Sequence, residues 1–163
     1  MENTRYKKPE AVKKLEKLAQ KVNVEHHPNF PYPPKIKYRD DTANGLTKCI
    51  VDFLNLKEHQ AERINNTGRI KDNRKNSIDV LGRVRTVGSI KWIKGTGNNG
   101  TADISATIKG YSVKIEVKIG KDRQSEAQQA YEAQIKKAGG FYFIARNFTD
   151  FINWYNLKFE VNE

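Results

Sequence analysis

The most regular pattern of apolar and polar positions in the chain lies between Gly100 and Ile119. Apolar residues alternate with polar ones there, on both sides of Lys109-Gly110. A period of two predicts β-strands with one buried face, and glycine suits the positive φ of a tight turn. We therefore predict a β-hairpin, with the facing pairs Ile108 and Tyr111, Ala106 and Val113, and Ile104 and Ile115.

The same register places two carboxylates opposite each other on the polar face of this hairpin. Asp103 would face Glu116, and like charges on directly opposed residues destabilise a sheet. A divalent cation between the two carboxylates would turn that repulsion into attraction. Lys118 follows two residues after Glu116 and projects from the same face. This set is typical of metal-assisted phosphodiester hydrolysis; the alternative is a solvated face on which Lys114 and Lys118 neutralise the acids.

Other parts of the chain have helical periodicity or short apolar runs. These patterns predict helices at 9–22, 42–57, 125–138 and 149–155, and strands at 60–65 and 141–145. Thr42 is a suitable N-cap for the second helix, and Ser125 to Gln128 is a capping box for the third. The order predicts an α/β fold with an α-β-β-β-α-β core and a mixed central sheet, in which the strands of Glu116 and Phe141 run parallel.

Domain organisation is expected to be simple. Residues 1–40 would form a basic helix followed by a proline-rich extended arm, and residues 41–163 would form one domain with its own core. Gly95-Thr-Gly-Asn-Asn-Gly100 matches a dinucleotide-binding pattern, but it opens the Asp103 strand and not a helix, so we predict no small-molecule cofactor.

Composition narrows the choice of partner and compartment. The net charge is +11, with a pI of about 9.7, which favours an anionic polymer, nucleic acid ahead of membrane. The single cysteine, Cys49, excludes an internal disulfide and lies on the apolar side of a predicted helix, so we interpret it as a core residue. The first residues lack the apolar run of a signal peptide, and we expect a soluble cytoplasmic protein.

The most basic part of the chain precedes the carboxylate hairpin. Between Arg63 and Lys94 there are nine basic and two acidic residues. The alternatives are phosphate contacts and a solvated charged loop, and we favour the contacts. Trp92 could stack on a base or lie in the core. The predicted contacts are Arg63, Arg69, Lys71, Arg74, Lys75, Arg83, Arg85, Lys91 and Lys94.

An aspartate followed thirteen residues later by Glu-x-Lys, on adjacent strands that lead into a helix, resembles the PD-(D/E)XK nucleases. Residues 43–155 resemble the VRR-NUC branch of that superfamily more narrowly. The matching motifs are Arg63 with Asn66-x-Gly68, Gly100-x-x-Asp103, Ile115-Glu-Val-Lys118, Ser125-x-x-Gln128 and Ala138-Gly-Gly-x-Tyr142.

This resemblance implies a restriction-endonuclease-like α/β/α sandwich and assigns roles to individual residues. Asp103, Glu116 and the Val117 carbonyl would bind Mg²⁺ or Mn²⁺. Lys118 would be the catalytic lysine, and Gln128 would support the active site in addition to its capping role. Asn66 joins the predicted nucleic-acid contacts.

The chain departs from the family at two places. Ala102 replaces the proline that usually precedes the aspartate. This change is tolerable, because that proline does no chemistry. The family's first helix usually carries a glutamate, but the residues around that position here are Thr42, Ala43 and Asn44, none of which has a carboxylate. A second metal ion and the rate of cleavage are therefore in question.

The resulting prediction is a metal-dependent endodeoxyribonuclease that is selective for branched or junction DNA. The resemblance to small phage-encoded members implies a homodimer in the cytoplasm of a bacterium or of a phage-infected host. The alternative is a nuclease-fold DNA-binding module whose catalysis is weak or lost.

Overall fold

A computed structural model describes residues 6–30, 32–65, 68–93, 95 and 98–160. The helices are α1 (Glu10–His26), α2 (Ala43–Leu56), α3 (Glu126–Lys137) and α4 (Phe148–Tyr155), which continues as a π-helix over Asn156–Glu160. The strands are β1 (Gln60–Arg63), β2 (Arg69–Asp72), β3 (Lys75–Ile78), β4 (Val84–Val87), β5 (Ile90–Ile93), β6 (Ile104–Ile108), β7 (Tyr111–Val117) and β8 (Phe141–Ala145). Residues 1–64 and 99–163 form one compact unit, and residues 65–98 form another.

The larger unit is built on a four-stranded sheet in the order β1-β6-β7-β8. Strand β6 pairs antiparallel with β1 and β7, and β7 pairs parallel with β8 across the α3 connection. Ile104 faces Ile115 and Ile108 faces Tyr111, so the predicted hairpin register is confirmed. Lys109 and Gly110 both have positive φ, as a two-residue type I′ turn requires. The mixed sheet and the α/β class are therefore as expected.

One face of this sheet is covered by helix α2 and forms the hydrophobic core. The residues of β6 and β7 that point to this face are buried, except Tyr111 beside the turn, as are Leu46, Ile50 and Phe53 of α2. Phe53 contacts Phe148 and Tyr155 edge to face, with ring centroids 5.8 and 5.2 Å apart. Burying a large apolar side chain contributes about 1.5–3 kcal/mol to the stability of the fold. The packing of this face therefore fixes which residues of the sheet lie on the opposite, polar face.

Helix α1 belongs to the same core. It is longer than predicted, and Val12, Leu15 and Ala19 are buried in the shared apolar cluster. Tyr38 is also buried, and its hydroxyl donates to Asp52 of α2 at 2.8 Å. Helix α1 therefore lies in the same compact unit as the sheet, because its apolar stripe packs in the shared core.

The predicted helix caps are present. The Thr42 side chain accepts from Gly45 N at 3.1 Å, and Ser125 and Gln128 form the reciprocal capping box of α3. Cys49 is buried, as expected for a core residue. Among the described residues there is no helix with the length and apolar character needed to cross a membrane.

The second unit contains a β-hairpin between Arg69 and Ile93, which we call the arm. Strand β2 pairs with β5, and β3 pairs with β4. The two pairs share one register, because Asp72 faces Ile90 and Lys75 faces Val87, and Asn73 N donates to Ser89 O at 3.2 Å between them. These four strands are not among those predicted from the sequence.

The arm has two different faces. In each half, the alternation of the strands puts its cations at positions that share one face: Arg69, Lys71 and Lys91 in β2 and β5, and Lys75 and Arg85 in β3 and β4. The opposite positions carry most of the large apolar residues: Ile70, Ile90 and Trp92, and then Ile78 and Val84. All of these side chains are exposed, so a core position for Trp92 is wrong; the hairpin has no second layer of its own to cover it.

A comparison of two glycines tests how the loop before Asp103 is positioned. Gly100 and Gly110 both have a φ of 83°, but only at Gly100 would a Cβ overlap another group, the Ala127 carbonyl of α3. We expect Gly110→Ala to lower the free energy of unfolding by about 1–2 kcal/mol. Gly100→Ala should lower it by a further ~1–3 kcal/mol, because the backbone has to move. Urea unfolding measures both, and equal losses would contradict the close approach.

Candidate active site

The polar face of the central sheet gathers four of the predicted site residues. Glu116 lies on β7, Lys118 follows directly after that strand, and Asp103 directly precedes β6. Gln128 lies in the first turn of α3. Side chains from three separate elements therefore meet at one point, on the face of the sheet opposite to α2.

Glu116 is the centre of this arrangement. Its side chain is only 3% exposed, although it is a carboxylate. Oε1 accepts from Lys118 Nζ at 3.1 Å and also from the amide Nε2 of Gln128. Oε2 is buried as well and has no hydrogen-bond partner among the described residues. A buried carboxylate oxygen without a donor is costly, so this atom is a natural ligand for a cation.

The electrostatics of the site agree with that assignment. The pKa of Glu116 is raised from its ordinary value of 4.5 to about 6, first by burial and second by the negative charge of Asp103. The hydrogen bond and the charge of Lys118 act against this shift without cancelling it. Asp103 and Glu116 are therefore close enough to repel, as the hairpin register predicted.

Asp103 is held by the backbone on both sides. Its Oδ2 accepts from Val117 N at 2.9 Å, and its carbonyl accepts from Ile64 N at 2.7 Å, which extends the pairing of β6 with β1. The close approach of Gly100 to Ala127 fixes the preceding loop against the first turn of α3. Asp103 is thus positioned by contacts that do not use its remaining carboxylate oxygen, Oδ1.

Lys118 is 7% exposed, which is unusual for a lysine. Its backbone N donates to Ala145 O at 2.9 Å, so the parallel pairing of β7 with β8 continues one residue further. Nζ lies 3.1 Å from Glu116 Oε1 and 3.4 Å from Asp122 Oδ2. No sequence pattern indicates Asp122, because its approach to Lys118 depends on the turn after β7 and not on a regular spacing.

Gln128 has both of the roles that were considered for it. Its backbone N and its Oε1 complete the capping box with Ser125. Its amide Nε2 remains available and donates to Glu116 Oε1. One side chain therefore fixes the start of α3 and orients the buried carboxylate.

Tyr142 also borders the site. It lies on β8 opposite Lys114, on the same face as Glu116, and is buried against the ring of Tyr131 at 6.3 Å. Burial and the charge of Glu116 raise the pKa of its hydroxyl. Tyr142 entered the sequence analysis only as part of a family motif, and no local pattern indicated its proximity to Glu116.

The start of α2 offers no further acid to this site. The first turn of α2 contains no acidic residue. Asp40, which precedes the helix, is buried, but its two carboxylate oxygens accept from the Tyr6 hydroxyl at 2.7 Å and from Phe148 N at 3.1 Å. That carboxylate therefore supports the packing of α4.

The residues at the site fit a divalent cation with few protein ligands. Within the described part of the chain, no group of three or more His, Cys, Asp or Glu side chains could hold a metal ion. Mg²⁺ is commonly bound by one or two carboxylates, with water and substrate phosphates as the other ligands. The unpartnered Oε2 of Glu116 and the neighbouring charge of Asp103 meet that requirement.

Most of the predicted nucleic-acid contacts lie on the arm, and all of those are exposed: Arg69, Lys71, Arg74, Lys75, Arg83, Arg85 and Lys91. Arg63 lies at the end of β1 in the larger unit. Asn66 and Lys94 lie outside the described residues.

Comparison with protein-family models finds no match, and comparison with curated proteins finds no relative of significant similarity. The relation to PD-(D/E)XK nucleases stays a prediction from the motif residues.

The pKa of Glu116 leads to a pH-dependent stability. Between pH 4.5 and about 6 the native metal-free protein binds more protons at Glu116 than the unfolded chain does. The contribution of Glu116 to the free energy of unfolding therefore falls as the pH rises through that window. We expect wild type to lose about 1.5 kcal/mol relative to Glu116→Gln between pH 4.5 and 7. Chemical unfolding in EDTA at several pH values measures this difference, and a constant difference would contradict the raised pKa.

Metal binding at the same carboxylate should stabilise the fold. A ligand that binds only the native state raises Tm by mass action, so millimolar Mn²⁺ or Mg²⁺ should raise the Tm of wild type. Glu116→Gln should respond far less. Glu62→Gln is the matched control, because Glu62 faces Ser105 on the same polar face but is exposed. Equal metal responses in wild type and Glu116→Gln, measured at fixed ionic strength, would contradict the site.

Proposed function

We propose that the protein is a divalent-metal-dependent nuclease of the PD-(D/E)XK type that hydrolyses phosphodiester bonds in DNA. The observation that carries this proposal is the convergence of Asp103, Lys118 and Gln128 on the buried Glu116 carboxylate, whose Oε2 has no donor among the described residues. A purely structural role would favour a neutral side chain at this position, because burying a carboxylate is expensive.

The residues divide the chemistry between them. Asp103, Glu116 and the Val117 carbonyl would hold the cation. When bound, a divalent cation neutralises charge on the reacting phosphate and lowers the pKa of water. Lys118 places an ammonium group beside Glu116, where it can steady an attacking water or the charge that develops on the phosphate. Gln128 keeps the Glu116 carboxylate oriented.

Charge and architecture support DNA as the substrate. The net charge of +11 and the seven exposed cations of the arm favour a polyanion. The mixed sheet with α2 on one face and α3 above Glu116 is compatible with a restriction-endonuclease-like sandwich. A preference for branched or junction DNA, a homodimeric state and a cytoplasmic location are further parts of the proposal, and they rest on the family resemblance and on composition.

A second candidate is a DNA-binding module in which catalysis is weak or lost. It is supported by the first turn of α2, which has no acidic residue, and by the absence of a third metal-binding side chain among the described residues. Labelled duplex, flapped and four-way junction DNAs, incubated with and without Mn²⁺, distinguish the two. Metal-dependent cleavage of any of them supports the nuclease, and binding without cleavage supports the module.

Two lysines on the same strand face provide a matched test of catalysis. Lys118 Nζ contacts Glu116, whereas Lys114 Nζ donates to Ser105 Oγ at 2.5 Å. Lys118→Met keeps the apolar stem and removes the ammonium group, and we expect cleavage to fall by at least ~100-fold. Lys114→Met should cut within a few-fold of wild type, and both variants should keep their affinity for DNA.

The measurement is single-turnover cleavage of a labelled DNA in Mn²⁺, with thermal melts to show that each variant is folded. If Lys118→Met cuts as fast as wild type, Lys118 is not the catalytic lysine. If both variants are equally impaired, the loss reflects the positive charge of the sheet face and not a specific contact.

A further inference from the structure

The end of the arm carries an unusual set of exposed apolar residues. Ile78 and Val84 form the last pair of the hairpin, and Val80 and Leu81 lie in the turn between them. Val80 is fully exposed, and the other three are between 67% and 71% exposed. We call these four residues the apolar tip. Hairpin turns normally carry Gly, Asn, Asp or Pro, so this composition is not explained by the needs of the turn.

The turn that holds the tip is well organised. Asp79 Oδ1 accepts from Leu81 N and from Arg83 N, both at 2.9 Å. The backbone closes the turn as well, because Gly82 N donates to Asp79 O at 2.9 Å and Gly82 has a φ of 77°. Asp79 Oδ2 lies 3.3 Å from Arg85 Nε. Val80 and Leu81 are therefore presented by a hydrogen-bonded turn that has arginines beside it.

The shaft of the arm is cationic, and its cations are mostly without partners. Within the described residues, Arg69, Lys71, Lys75 and Lys91 form no ion pair, whereas Arg74 is paired with Asp72. Lys71 directly faces Lys91, a like-charge pair that is unfavourable in an isolated hairpin. A polyanion along this face would relieve the repulsion.

We infer that the arm binds along duplex DNA with its cationic face and inserts the apolar tip between base pairs. A two-stranded ribbon fits a DNA groove, and each side of the hairpin, residues 69–78 and 84–93, spans roughly 30 Å, close to one turn of B-DNA. Apolar side chains that enter base steps unstack and kink the duplex, and phosphate contacts made by cations hold the protein in place. The inference rests on the proposed function for the identity of the polymer and adds how that polymer is bound and deformed.

Charge decides between DNA and a second copy of this chain as the occupant of the tip. The arm has seven basic and two acidic residues, so two arms that met would repel each other. DNA supplies both a negative backbone for the shaft and apolar base faces for Val80 and Leu81. An isolated two-stranded hairpin is marginally stable in water, and binding of this kind would stabilise it.

The test uses the full chain in EDTA, with a duplex that carries 2-aminopurine at a central step. Wild type should raise the 2-aminopurine fluorescence on binding, because the base is unstacked. The double variant Val80→Ser with Leu81→Ser should bind with the same dependence of affinity on salt but lose this rise. Leu157→Ser is the matched control, since Leu157 is 66% exposed and Leu81 is 68% exposed. It should behave as wild type.

A second double variant tests the shaft. Lys71→Gln with Lys91→Gln should reduce the slope of log affinity against log salt by about two units, because two phosphate contacts are lost. An unchanged slope would overturn the orientation of the arm on DNA.

The remaining outcomes separate this inference from the proposed function. A fluorescence rise that survives in the tip variant, or binding by wild type without any rise, overturns the insertion even if cleavage occurs. If the tip variant differs from wild type only in that it no longer sediments as a dimer, the tip is a contact between two copies of the chain, and the insertion is overturned as well. Insertion without cleavage in Mn²⁺ supports the inference and contradicts the nuclease. Failure of wild type to bind duplex DNA overturns the insertion, whereas cleavage of the flapped or junction DNA still decides the proposed function.

Discussion

Strands β6 and β7 can pair in only one register, and the polar site depends on that constraint. The period of a strand is two, so a slip by one residue would turn Ile104 and Ile115 out of the core and bury their polar neighbours. The type I′ turn at Lys109-Gly110 specifies the same register locally. Asp103 and Glu116 lie close together as a consequence, because the residues next to two core isoleucines must face each other on the opposite side.

The arrangement around Glu116 shows a conflict between stability and chemistry. Burial and the nearby charge of Asp103 make ionisation of Glu116 unfavourable. Lys118 and Gln128 both contact Oε1, so Oε2 has no donor among the described residues. A site selected for stability alone would replace these groups with a packed apolar cluster. Its persistence is explained if the carboxylates hold a cation in the active protein, and the raised pKa is then a property of the metal-free state.

The arm has a different physical basis from the domain into which it is inserted. The domain buries apolar residues from α1, α2, α4 and one face of its sheet, whereas all residues of the arm's strands are exposed. Its order comes from backbone pairing and from the turn at Asp79. An element with one cationic face, several exposed apolar side chains and no core of its own is better explained by binding to a partner than by a contribution to stability.

Features that depend on local periodicity and capping could be predicted from the residues alone. These are the hairpin register, the start of α2 at Thr42, the capping box at Ser125 and the parallel arrangement of β7 and β8. Tertiary structure alone decided which groups meet across elements: Asp122 with Lys118, and Tyr142 beside Glu116. It also decided that Trp92 is exposed, because burial depends on whether a second layer covers a strand, and neither periodicity nor residue type specifies that layer.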